Sequence, residues 1–202
     1  MADADSSFLP ANSLAEAFLY ILVTPCAACG RGPIRGEAAE KLPSAADSVR
    51  VTVRSWCPVC GATPSLSFAL PSDASLEKPQ TGAVVNPGGR PSRLIDLPHW
   101  LTLFRMIVEA AARETDKVQA RHLGLEAAQC LEEALRFYDD EENDLPGDEA
   151  FFSDASRLVF HRRPEQFSRQ RLMNLRSKLP SADAMRAALS RSATSNASRR
   201  NR

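Results

Sequence analysis

The chain has 202 residues, with 25 Lys and Arg against 25 Asp and Glu, 44% hydrophobic residues and only 6% aromatics. That length admits one or two domains, and the apolar fraction is ordinary for globular protein. Zero net charge argues against a global attraction to nucleic acid or membrane, and the longest apolar stretch, around residues 17–23, falls well short of the roughly 18 residues a membrane span requires.

Residues 1–12 are small and polar and read as a flexible tail. The apolar stretch that follows makes a poor secretory leader, because Asp3, Asp5 and Glu16 precede or enter it and no Lys or Arg does. Next comes a module spanning 13–70. Ser13 to Ala17 reads as helix, whereas Phe18 to Val23 suits a buried strand. Val49, Val51 and Val53 alternate with Arg50, Thr52 and Arg54, the period of a half-buried strand running into Trp56. Ser65 to Leu70 alternates again and stops at Pro71. A small antiparallel sheet of about three strands is predicted.

Within this module two copies of Cys-x-x-Cys-Gly occur, Cys26 to Gly30 and Cys57 to Gly61. Two intervening residues let both sulfurs of a pair face one point, and the glycine supplies φ > 0 as the chain leaves the turn. Cys26, Cys29, Cys57 and Cys60 are therefore the candidate metal ligands, four thiolates able to complete a tetrahedral shell around one structural Zn²⁺. The long gap between the pairs adds little closure entropy. Over residues 16–70 the arrangement resembles the zinc-ribbon group, which implies a tight turn beside a strand at each pair and a structural metal. It also resembles the bacterial CpXC domain, whose family carries two Cys-x-x-Cys pairs, although Cys26-Ala27-Ala28-Cys29 lacks the proline. A four-thiolate site also suits iron.

Redox chemistry is the competing reading. Trp56-Cys57-Pro58-Val59-Cys60 looks like the thioredoxin-type Trp-Cys-x-x-Cys, in which a helix N-terminus lowers the thiol pKa. Here Gly61, Thr63 and Pro64 oppose a helix, and the first pair is left without a role. Thiolate ligands and the missing leader set the expected compartment as the reducing cytoplasm.

Residues 71–93 hold four prolines and three glycines and read as a linker, with a turn at Val84 to Gly89. A helical domain is expected over 94–180. Leu97, Trp100, Leu101, Phe104, Ile107, Val108 and Ala111 form one stripe, with Asp96 as cap and Pro98 in the first turn. Asp116 caps a second helix that buries Leu123, Ala127, Cys130, Leu131, Ala134, Leu135 and Tyr138, giving an antiparallel helical hairpin. The run Glu126 to Leu135 looks like one helix of a tetratricopeptide-type unit, but no second copy follows. An acidic loop begins at Asp139 and lacks calcium-loop spacing. Shorter helices are expected at 153–161 and 164–178, then a weak one at 181–190 inside a basic, partly disordered tail, 181–202.

After position 156 twelve basic residues face two acids. That segment suits phosphate backbones or neutralisation of the acidic loop. His99, His122 and His161 sit on separate predicted helices with no His-Glu-x-x-His spacing, so they read as surface or packing residues. Cys130 reads as a small core residue. The expected fold is thus α+β, a zinc-ribbon-like sheet followed by a helical domain. The expected function is that of a non-enzymatic zinc-binding protein with an interaction or scaffold role and an unidentified protein partner. A nucleic-acid-associated regulator and a dithiol oxidoreductase are the alternatives.

Overall fold

The computed structural model describes residues 8–43, 48–77, 84–138 and 144–180, which form a four-stranded sheet, five α-helices and two short 3-10 turns. Ser13 decides how the ambiguous apolar run folds. Its Oγ accepts the Glu16 backbone N–H at 3.1 Å, and Glu16 reaches back to the Asn12 N–H at 2.5 Å. This is a capping box displaced by one residue. The resulting helix α1 (Leu14–Val23) buries Leu14, Ala17 and Ile21. The strand expected at 18–23 is therefore the second half of a helix. A seven-residue apolar run carries no period, so the cap upstream settles its conformation.

The sheet runs in the order β1-β4-β3-β2. Strands β3 (Ser48–Trp56) and β4 (Ser65–Pro71) lie where alternation places them, paired antiparallel with Val51 opposite Phe68. Strand β2 (Arg35–Leu42) was not foreseen. Its Arg-Gly-Glu-Ala-Ala-Glu-Lys-Leu sequence has little β propensity, and pairing with β3 imposes the conformation. Charged side chains suit it to the sheet edge. At the other edge β1 (Leu9–Pro10) runs parallel to β4, and the Ala11 N–H donates to the Ala69 carbonyl at 3.0 Å. The last part of the expected flexible tail is thus sheet, while residues 1–7 lie outside the described residues.

Helices α2 (Leu97–Arg113) and α3 (Lys117–Leu135) pack as the expected hairpin, each capped by the aspartate foreseen for it. Leu103, placed off the stripe by sequence, is fully buried, while Val108 is exposed. Leu125 and Ala128 join the buried face of α3. Helix α4 (Asp154–Arg162) starts at the Ser153 cap. The helix expected at 164–178 is divided: Pro164–Phe167 is a 3-10 turn, and α5 (Arg169–Arg176) begins anew at the Ser168 cap. Stacked and edge-on contacts among Phe151, Phe160 and Phe167 hold this end together. The first part of the acidic loop, 139–143, and the weak helix at 181–190 lie outside the described residues.

The segment 84–93 is packed rather than a bare connector. Val85 is buried and its carbonyl accepts from Ser13 Oγ at 2.5 Å. Asn86 Nδ2 donates to the Arg90 carbonyl at 2.5 Å and to Glu133 Oε2 at 3.0 Å. One continuous core contains Ile21, Val53, Phe68, Trp100, Leu103 and Leu131, so sheet and helices share their buried surface. Among these apolar groups, burial raises the carboxyl of Glu16 and pushes that of Glu133 up to about 7, although Asn86 and Arg136 favour the charged form of Glu133.

Ser13 serves both the α1 cap and the bond to Val85. Replacing it with Ala should cost about 1–2 kcal/mol in urea unfolding. A change below a few tenths of a kcal/mol would show that the packed segment does not depend on this hydroxyl.

Candidate metal centre

Each Cys-x-x-Cys-Gly closes the same turn. In the first, the Gly30 N–H donates to the Cys26 carbonyl at 2.8 Å, and the Cys26 N–H donates to the Arg31 carbonyl at 2.9 Å. In the second, Gly61 donates to Cys57 at 2.9 Å and Cys57 to Ala62 at 2.8 Å. Gly30 and Gly61 sit at φ 66° and 74°. A Cβ on either glycine would meet nothing within 4 Å, so backbone conformation, and not space, demands glycine here.

The first turn follows the end of α1, and the second follows β3. They face one another across the end of the sheet, where the Ile34 N–H reaches the Thr24 carbonyl at 3.3 Å. All four Sγ atoms lie within 4.8 Å of one another. Cys26 approaches Cys60 at 3.7 Å and Cys29 approaches Cys57 at 3.8 Å. Both separations far exceed the roughly 2.05 Å of a disulfide. A regular tetrahedron with metal–sulfur bonds of about 2.3 Å has edges of about 3.8 Å. The donor set and its spacing therefore fit one tetrahedral, thiolate-loving metal ion. Among the described residues no other group of His, Cys, Asp and Glu is arranged to hold a metal.

The four cysteines are unequally exposed. Cys26 and Cys57 belong to the core, Cys29 is half-buried and Cys60 is exposed. The Cys60 backbone N–H, aided by that of Val59, outweighs burial at Cys57 and holds this thiol down to about 7. At Cys29 the Arg31 backbone bond favours the thiolate, but burial and the neighbouring sulfurs prevail and push it up to about 12. Four thiolates at this spacing repel one another strongly unless a cation sits among them.

The remaining flagged residues stand apart from the sulfurs. Cys130 is buried on the inner face of α3, and burial raises its thiol pKa. The histidines lie on α2, α3 and α4. Sequence reasoning missed a role for His99. Its Nδ1 lies 2.5 Å from Asp96 Oδ1, the same oxygen that accepts the His99 backbone N–H, while Asp96 Oδ2 accepts the Phe152 N–H at 3.3 Å. An Asp cap three residues before a His was the available signal. Burial pushes Asp96 up, but hydrogen bonds from His99 and Ser156 prevail and hold its carboxyl below the usual range. The Asp96 hydrogen bond in turn raises His99.

Part of the basic character is engaged within the chain. Arg50 stacks over Phe8 at 4.6 Å, Arg54 pairs with Glu40 at 3.3 Å, and Arg176 Nε meets Glu132 at 2.8 Å. Asp144 accepts the Gln170 N–H at 2.8 Å at the start of α5. Among the described residues no helix is long and apolar enough to cross a membrane.

No protein-family model matches this chain, and no curated protein or solved structure gives a significant match.

Two outcomes follow. Gly61→Ala should cost about 1–2 kcal/mol while Gly61→Asn costs less, because Asn tolerates the left-handed region. Equal costs in urea unfolding would remove the conformational explanation. His99 binds its proton more tightly in the folded state, so its contribution is complete below pH about 6.5 and is lost as pH rises through its raised pKa. His99→Gln should therefore flatten the fall in stability above that pH, as read by melting temperature across a pH series.

Proposed function

We propose that Cys26, Cys29, Cys57 and Cys60 hold one structural zinc ion, and that the protein is a non-enzymatic interaction or scaffold protein of the reducing cytoplasm. The carrying observation is the pair of sulfur–sulfur distances, 3.7 and 3.8 Å, that match the edge of a zinc–thiolate tetrahedron. The paired glycine turns and the neighbouring strands support a zinc-ribbon-like reading of this region. When bound, the ion would supply cross-linking between the end of α1 and the end of β3. Four sulfur ligands leave no open position for water, which favours a structural over a catalytic metal. Strand β4 rather than a helix follows Cys60, which weighs against a thioredoxin-type dithiol.

A protein partner fits the outer surface of the second turn. Trp56 and Val59 are 38% and 53% exposed there, beside exposed Pro58. Tryptophan is a common anchor of protein interfaces. The second reading is a nucleic-acid-associated regulator. It draws on Arg31 and Arg35, exposed beside the first turn, and on exposed Arg162, Arg163 and Arg171. Binding to mixed DNA and RNA that falls steeply with salt, and disappears when residues 157–202 are removed, would favour it.

The deciding measurement is metal content with thiol counting under reducing conditions. About one zinc per chain should protect four thiols, leaving Cys130 to react once the protein unfolds. Cys26→Ser should abolish stoichiometric zinc and cost more than about 4 kcal/mol, the class of effect that metal loss belongs to. Metal-free protein with Cys57 and Cys60 disulfide-bonded would overturn the zinc reading in favour of redox chemistry.

A further inference from the structure

Arg136, just past the end of α3, is anchored from one side only. Its Nη1 meets Glu133 Oε1 at 3.2 Å, Glu133 Oε2 at 3.3 Å and the Asn86 carbonyl at 3.3 Å. Its Nε and Nη2 make no hydrogen bond to a described residue. Those two nitrogens form the edge of a guanidinium that grips a carboxylate or phosphate through two parallel hydrogen bonds. Anchoring at Nη1 removes much of the rotamer freedom that a free arginine would lose on binding.

Arg136 lines an open cavity of about 510 Å³ at the surface, together with Arg90, Arg93, Phe137, Glu149 and Phe152. Neither Arg90 nor Arg93 is ion-paired with a described residue. Among the described residues, these three guanidinium groups face Glu149 in the lining and Glu133 behind Arg136, which leaves one positive charge in excess. Phe137 is buried in its wall, and Phe152 is 44% exposed, its ring edge-on to Phe137 at 6.2 Å. An apolar wall with a few convergent charges, in a volume between about 300 and 1,000 Å³, is the usual make-up of a small-molecule site. The cavity is far larger than an inorganic anion needs, and exposed Phe152 offers a face to an apolar group. None of these side chains belongs to the metal centre.

We infer that this cavity binds a small organic anion. Its carboxylate or phosphate is gripped by Arg136 with Arg90 and Arg93, and its apolar body rests against Phe152 and Phe137. Glu149 on the rim supplies an acceptor for a hydroxyl or amine of the ligand. The site is independent of the zinc reading, since its residues lie on the 84–93 segment, the end of α3 and the chain before α4.

The test is a backbone-amide NMR titration of the full chain, purified under reducing conditions, with phenyl phosphate, benzoate and inorganic phosphate. Phenyl phosphate or benzoate should shift the amides of Arg90, Arg93, Phe137 and Phe152 saturably. Whichever binds tighter identifies the acid group. Arg93→Ala should weaken that binding about tenfold with an unchanged melting temperature. Arg136→Lys, which keeps the charge but loses the two-pronged edge, should weaken it at least as much. Phe152→Ala should bring the organic probe down to the level of inorganic phosphate. No saturable shift at these amides at millimolar probe would overturn the proposal. So would equal affinity in Arg93→Ala, or inorganic phosphate binding as well as phenyl phosphate. Should Arg136→Lys fail to fold, Arg93→Ala and Phe152→Ala decide alone.

Discussion

Convergence of four sulfurs is the constraint on which the remainder of this fold leans. Two local turns, each closed by the same pair of backbone hydrogen bonds, bring together positions 26–30 and 57–61 across the intervening β2–β3 hairpin. Cys26 and Cys57 face the core that also contains Trp100 and Leu131, Cys29 packs half-buried against it, and Cys60 is exposed. The cluster is therefore the closing surface of the core at one end of the sheet. Thiolates crowded into such a place conflict electrostatically. A cation among them converts that conflict into attachment.

The other end of α1 is fixed by different means. Ser13 and Glu16 cap it, and Ser13 also holds the Val85 carbonyl. From there a buried polar chain runs through Asn86 to Glu133 and Arg136 at the end of α3. Charge in such a place is retained only when it is paired and hydrogen-bonded. Helix α1 is thus bound at its start by side-chain polarity and at its end by the sulfur turns. That double attachment explains why sheet and helices share one core.

Legibility in the sequence followed the range of the interaction responsible. The two cysteine pairs, the two glycines, β3, β4 and the caps at Asp96 and Asp116 were readable because each is set within about five residues of chain. Strand β2 was not, because Arg35 to Leu42 owes its conformation to β3. The packed segment was not, because Asn86 finds Glu133 forty-seven positions away, and a stretch rich in proline and glycine looks the same whether docked or free. The Phe18 to Val23 run was misread because six or seven apolar residues suit a strand and a buried helix alike. His99 passed as a surface or packing residue because its partner is the helix cap itself.

The two rims of the sheet are protected by unequal means. On one side β2 carries charged side chains that discourage a further strand. On the other, residues 9–11 cover β4 with two paired positions and a bond from the Ala11 N–H to the Ala69 carbonyl. Trimming the chain to Ser13 would bare the backbone beside Phe68 and Ala69 and turn that rim into a template for self-association. Cover of that rim then rests on a three-residue strip that contributes little to the mass of the core.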